Sequence, residues 1–145
     1  MGIEDIEQLD RILVIGSNIR KEQPLLAHRI RQAVKKNGAS LAFINSMNSD
    51  SLVPTAKDYL VAPSHITELM CQVVKAVNSL LGLEVPSELN DRMVGNDANH
   101  IAELLVSGNQ KLILVGVLCR NHPDRSKIER LSHQLGQLVD AKVGL

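Results

Sequence analysis

The chain has 145 residues, 44% of them hydrophobic, and its 16 lysines and arginines balance 16 aspartates and glutamates. This length and composition predict a single globular domain over residues 1–145 and exclude a disordered chain. With a net charge of zero, one phenylalanine, one tyrosine and no tryptophan, the sequence lacks both the positive charge and the stacking side chains of a general nucleic-acid binder.

The first part of the chain alternates apolar runs with a helical pattern. Residues 11–16 are rich in β-branched side chains and end in glycine, which predicts a strand buried on both faces. Pro24 then begins a helix, and Gly38 ends it. Three segments follow: a second strand over 41–45, a polar surface loop over 46–55 and a weaker third strand over 58–62.

The most regular helical pattern begins after Pro63. Its apolar stripe extends from Ile66 to Leu81 at the i, i+3, i+4, i+7 spacing, and Gly82 ends the helix. The chain around Pro86 is irregular, and we expect no more than one helical turn there.

The last third of the sequence predicts two helices and two strands. Either Asn96 or Asp97 can cap a short helix that precedes a buried strand over 111–117. Pro123 lies in the first turn of the final helix, and residues 141–145 begin one more strand.

This alternation of strands and helices predicts parallel pairing through right-handed crossovers. The fold class is therefore α/β, a three-layer α/β/α sandwich with a mostly parallel, Rossmann-like sheet. In such a sheet the ligand crevice lies beyond the carboxyl ends of the strands. We expect the loops over 16–21 and 118–122 to lie there.

The loop over 16–21 has the chemistry of a phosphate site. Gly16 permits close backbone approach, Ser17 and Asn18 offer side-chain donors, and Arg20 adds positive charge before a helix N-terminus. The loop has neither a Gly-x-Gly-x-x-Gly nor a Gly-Lys-Ser/Thr motif, and ordinary turn chemistry also explains its glycine and asparagine. Both interpretations stay open.

The loop over 118–122 contains a nucleophile and a base, Cys119 and His122, but no local signature of a reactive thiolate. A structural role is the alternative. None of the five histidines has the spacing of a zinc site. We therefore expect no catalytic residue and no metal in this chain.

The balanced total charge conceals an uneven distribution. Residues 1–10 carry four acids and no base, the reverse of a secretory leader, whereas residues 20–36 carry six bases and one acid. The basic segment is either a solvated helix face or a contact surface for an acidic partner subunit.

The two cysteines, Cys71 and Cys119, lack a Cys-x-x-Cys spacing, which argues against a disulfide framework or an iron–sulfur cluster within the chain. Since no apolar run approaches the ~20 residues that span a bilayer, we expect a cytoplasmic chain without direct membrane insertion.

Residues 5–33 resemble the molybdopterin-oxidoreductase-like region of the large iron–sulfur subunit, the 75 kDa type, of NADH-quinone oxidoreductase, which is respiratory complex I. A second stretch over 111–124 is similar to a later strand and His-Pro turn of the same family. The residues that carry the first resemblance are Gly16, Ser17, Asn18, Arg20, Glu22, Pro24, Leu25, Arg29 and Arg31.

Two departures separate this chain from the molybdenum enzymes that the family resembles. Ile19 stands where their first loop has proline, and residues 61–67 lack the arginine, glycine and aspartate of a later nucleotide-binding segment. The resemblance therefore implies a fold that was kept after its cofactor was lost.

The resemblance implies a structural domain in the peripheral arm of complex I, at the cytoplasmic face of the bacterial inner membrane. The whole complex would transfer electrons from NADH to quinone, with iron–sulfur clusters elsewhere in the full subunit and no redox centre in this segment. We expect a fragment of that subunit, with its other segments and neighbouring subunits as partners and self-association when isolated. The alternative is a nucleotide- or pterin-phosphate-binding module that uses residues 16–21.

Overall fold

A computed structural model of the chain describes residues 8–16, 24–46, 57–116, 119 and 122–144. Most of the loop predicted over 46–55 lies outside these residues. In chain order the strands and helices are β1 (Arg11–Ile15), α1 (Pro24–Asn37), β2 (Ser40–Asn45), β3 (Lys57–Leu60), α2 (Ile66–Leu80), α3 (Asn96–Val106), β4 (Lys111–Val115), α4 (Arg125–Val139) and β5 (Lys142–Gly144). Single 3₁₀ turns over Pro63–His65 and Ser87–Leu89 precede α2 and α3.

The strands form one five-stranded sheet in the order β3-β2-β1-β4-β5, and every pairing is parallel. The central strand β1 pairs with both β2 and β4, so that Leu13 lies opposite Ala42 on one side and Ile113 on the other. This confirms the predicted α/β class and its parallel sheet.

Alternate residues of β1 enter two different cores, as the pleat of a strand requires. Leu13 and Ile15 pack in the larger cluster with residues of α2, α3 and α4. Ile12 and Val14 pack in the smaller cluster, against the buried residues Ala27, Ile30 and Ala33 of α1. The sheet is therefore the middle of three layers.

The strand order explains why the helices lie on opposite faces. α1 connects β1 to β2, whereas α2 and α3 connect β3 to β4 and α4 connects β4 to β5, in the opposite direction along the sheet. Because such crossovers are right-handed, connections that run in opposite directions lie on opposite faces.

The predicted helix ends are confirmed and two predicted helix starts are wrong. Gly38 and Gly82, with φ of 66° and 71°, follow α1 and α2 in the left-handed region that favours glycine. At α3 the N-cap is Gly95, and neither Asn96 nor Asp97 caps the helix. At α4 the N-cap is Asp124, so Pro123 lies before the first turn rather than in it.

The end of α4 is fixed to the sheet at a tight joint. Asp140 adopts a left-handed conformation with φ of 57°, and the N–H of Ala141 donates to the carbonyl of Gly136 at 2.8 Å. A Cβ on Gly136 would lie 2.6 Å from Cγ2 of Val143 and 3.0 Å from the carbonyl oxygen of Ala141. Lys111 of β4 is buried and donates to the carbonyl of Val139 at 2.8 Å.

We predict that Gly136→Ala destabilises the chain by about 1–3 kcal/mol, because α4 and β5 must separate to admit the methyl group. Helix propensity alone predicts the opposite sign, a gain of about 1 kcal/mol. Urea denaturation measures the difference, with the exposed neighbour Gln137→Ala as a control that changes stability by less than about 0.5 kcal/mol. A stabilised Gly136→Ala variant would contradict the packing of this joint.

Candidate functional site at the carboxyl edge of the sheet

The order of the strands reverses between β1 and β4, which makes the gap between their carboxyl ends the topological switch point. The N–H of Gly16 donates to the carbonyl of Ile44, and the N–H of Gly116 donates to the carbonyl of Ile15, both at 2.8 Å. The ends of β1 and β4 therefore lie side by side at this edge. The loops that follow them are the two that the sequence predicted to flank a crevice.

Gly16 begins the first of these loops with φ of 65°, a conformation that favours glycine. This position of the predicted cofactor-binding loop thus lies at the switch point. The other three predicted residues, Ser17, Asn18 and Arg20, lie outside the described residues.

The side chain of Cys119 lies against the end of β1. It is buried, with 1% exposure, and Sγ lies 3.7 Å from the carbonyl oxygen of Ile15. The N–H of Cys119 donates to the carbonyl of Gly116 at 3.1 Å, which holds Cys119 beside the end of β4. The thiol belongs to the larger hydrophobic core.

His122 has partners at both ring nitrogens. Nδ1 accepts from the N–H of Asp124 at 3.0 Å, and Nε2 lies 2.5 Å from the carbonyl oxygen of Pro63. Since Nδ1 accepts, the proton of the neutral ring is on Nε2 and points to that carbonyl. His122 therefore connects the β4 loop to the start of α2, and neither nitrogen is left to serve as a general base for Cys119.

A second contact joins the same two elements. Thr67, buried in the first turn of α2, donates its hydroxyl proton to Oδ2 of Asp124 at 3.0 Å. A carboxylate beside the first turn of a helix interacts favourably with the positive end of the helix dipole. The N-terminus of α2, a natural place for a bound anion, thus already faces an acidic group of the chain itself.

The sequence predicted that Cys119 and His122 lie at the carboxyl edge of the sheet, but it did not predict the contact between Thr67 and Asp124. The one available signal was the position of Asp124 directly after Pro123 at the start of a helix. The four remaining histidines, His28, His65, His100 and His133, are exposed. In the part of the chain that the structure describes, no three potential metal ligands of the His, Cys, Asp or Glu type come together.

A parallel sheet with helices on both faces and two loops at its switch point defines a doubly wound α/β protein of the Rossmann-like class. The family model for molybdopterin oxidoreductase matches residues 1–140. The chain therefore belongs to the molybdopterin oxidoreductase family, which confirms the resemblance at the level of the superfamily. A search of curated proteins found no match.

The family implies a molybdopterin cofactor, and the described residues of this edge do not fit one. Among the described residues, this edge carries the carboxylate of Asp124 at the start of α2 and the buried thiol of Cys119 at the end of β1. A carboxylate repels a phosphate, and a thiol packed in a core donates only weakly. These two groups make the described part of the edge unfavourable for the cofactor's phosphates.

None of the helices in the described ranges combines the length and the apolar character that crossing a membrane requires.

We predict that Cys119 reacts slowly with iodoacetamide in the folded chain, because its thiol is buried against Ile15. The measurement uses a Cys71→Ala variant, so that Cys119 is the one thiol present, and compares rates with and without denaturing urea. We expect at least a roughly tenfold slower reaction in the folded state. A folded-state rate equal to or above that of the unfolded chain would instead support a catalytic thiol.

Proposed function

We propose that the chain is a structural domain of the large iron–sulfur subunit, the 75 kDa type, of NADH-quinone oxidoreductase, in the peripheral arm of respiratory complex I. The whole complex transfers electrons from NADH to quinone, and the iron–sulfur clusters lie elsewhere in the full subunit. Family membership supports this proposal at the level of the fold. The residues from Gly16 to Arg31 that resemble the large iron–sulfur subunit support the particular subunit.

The observation that supports a structural role is that the chain's own side chains occupy the carboxyl edge of the sheet. Cys119 lies against the end of β1, His122 against Pro63, and Asp124 against Thr67. In an enzyme of this fold class the same edge holds the ligand. Here these contacts join the β4 loop to β1 and to the start of α2, which makes the edge part of the packed structure.

The proposed partners are other segments of the same subunit and neighbouring subunits of the complex, at the cytoplasmic face of the bacterial inner membrane. The end of α1 offers a surface for them. Lys35 and Lys36 are both exposed in its last turn, and α1 covers the face of the sheet opposite to α2, α3 and α4. An acidic surface on a partner would complement these charges.

The alternative function is a module that binds a nucleotide or a pterin phosphate through residues 16–21. The position of Gly16 at the switch point, with its positive φ, favours this alternative.

We predict that calorimetric titration of the chain with guanine nucleotides and with a pterin dinucleotide gives no saturable heat that depends on Asn18, because a carboxylate and a buried thiol occupy the edge. Saturable micromolar binding that Asn18→Ala abolishes and the surface control Gln137→Ala retains would establish the alternative function and overturn the structural one.

We further predict that an affinity-tagged chain, expressed from its own locus, retains NADH:quinone oxidoreductase activity when it is recovered from detergent-solubilised membranes. Iron–sulfur signals in electron paramagnetic resonance spectra of the recovered material should accompany that activity. Lys35→Glu/Lys36→Glu should reduce the recovered activity if the end of α1 faces an acidic partner, and Lys142→Glu, a single charge reversal on the edge strand β5, serves as the control. Recovery of the tagged chain without any such activity would refute the proposal.

A further inference from the structure

A cavity of about 140 Å³ lies between α2, the segment that follows the Ser87–Leu89 turn, and α4. Its lining residues include none of the edge residues Thr67, Cys119, His122 and Asp124. Its residue on α2, Cys71, lies one helical turn beyond Thr67. The side chains that matter for its chemistry are Cys71, Leu89, Arg92, Lys127, Arg130 and Gln134.

The cations of this cavity come from two elements that the fold holds in place. On α4, Lys127, Arg130 and Gln134 are three and four residues apart, so they share one face of the helix. Arg92 belongs to the segment before α3, and Lys75 of α2 fixes that segment by donating to two of its carbonyls. The distances are 2.9 Å to Asn90 and 2.6 Å to Arg92.

The positive charge in the cavity is only partly neutralised. Arg92 pairs with Glu68 through Nη1 and Oε2. Among the described residues, neither Lys127 nor Arg130 forms an ion pair or a side-chain hydrogen bond. Three cations and one carboxylate thus leave a net charge of about +2 around a small concave site, which concentrates the positive potential there.

The floor of the cavity is apolar. Cys71 is 1% exposed and Leu89 is 6% exposed. Burial raises the pKa of the Cys71 thiol, while Arg92, Lys127 and Arg130 act in the opposite direction and Glu68 adds to the increase. The thiol therefore stays neutral near pH 7 and does not supply the missing negative charge.

We propose that this cavity binds a phosphate group, held by Arg92, Lys127 and Arg130. Arginine presents paired N–H donors that match two phosphate oxygens, and lysine adds a compact charge. The volume is well below the roughly 300–1,000 Å³ of pockets that enclose a drug-sized ligand, so the site suits an inorganic phosphate or the head group of a phosphomonoester, not a dinucleotide. This site does not depend on the function proposed above.

Glu68 competes with the phosphate for Arg92. Because its carboxylate repels the ligand and occupies Arg92, its neutralisation should strengthen binding. Gln72 donates to Oε1 of Glu68 at 3.2 Å, and a glutamine at position 68 keeps an oxygen that can accept the same hydrogen bond.

The test is a titration of the ¹⁵N-labelled full chain with inorganic phosphate and, separately, with phenyl phosphate, at pH 7.5 and constant ionic strength. We expect saturable shifts of the backbone amides around Cys71, Arg92 and Arg130. Lys127→Gln/Arg130→Gln should weaken binding by about tenfold or more, since two charge-assisted contacts are lost. Glu68→Gln should strengthen it. The stronger of the two probes identifies a free phosphate or a monoester as the better ligand.

The control Lys35→Gln/Lys36→Gln also removes two positive charges, but from the opposite face of the sheet. It should change the phosphate affinity by less than about twofold, because exposed charges at that distance are screened. Three outcomes would overturn the proposal. These are the absence of saturable shifts at the cavity with both probes, an equal loss of affinity in the control, or an unchanged affinity in both Lys127→Gln/Arg130→Gln and Glu68→Gln.

Discussion

The burial of β1 on both faces is the constraint on which the rest of this structure depends. Ile12, Leu13, Val14 and Ile15 are all 0% exposed. A strand in this position must pair on both edges and be covered on both faces, because its backbone groups need partners and its side chains need apolar neighbours. Parallel pairing with β2 and β4 meets the first need, and the helices that parallel crossovers bring with them meet the second.

The switch point is a consequence of the same constraint. With β2 on one side of β1 and β4 on the other, the connections that follow β1 and β4 run in opposite directions along the sheet. Topology therefore creates a crevice in every fold of this kind, but the side chains decide what fills it. In this chain Cys119, His122 and Asp124 fill the described part of the edge with internal contacts, and the proposed structural role follows from that occupation.

The face of the sheet that α2, α3 and α4 cover includes a cluster of positive charges. Its buried residues contribute to the larger core, whereas Lys127 and Arg130 of α4 line one cavity together with Arg92 of the segment before α3. The zero net charge of the chain thus includes separate basic regions, one here and one at the end of α1. A balanced total says little about where a charged ligand or partner would bind, because at physiological ionic strength charges interact over about 8 Å.

The sequence by itself determined the order and type of the elements, the ends of α1 and α2, and the edge of the sheet where Gly16, Cys119 and His122 lie. These features depend on local periodicity and on the conformations open to glycine, which a short segment expresses on its own. Only the tertiary structure decided the start of α4, where Asp124 meets Thr67 from 57 residues away, and the convergence of Arg92 with Lys127 and Arg130. Those arrangements depend on how α2 and α4 pack against one sheet, and contacts between distant segments leave no periodic signal in the chain.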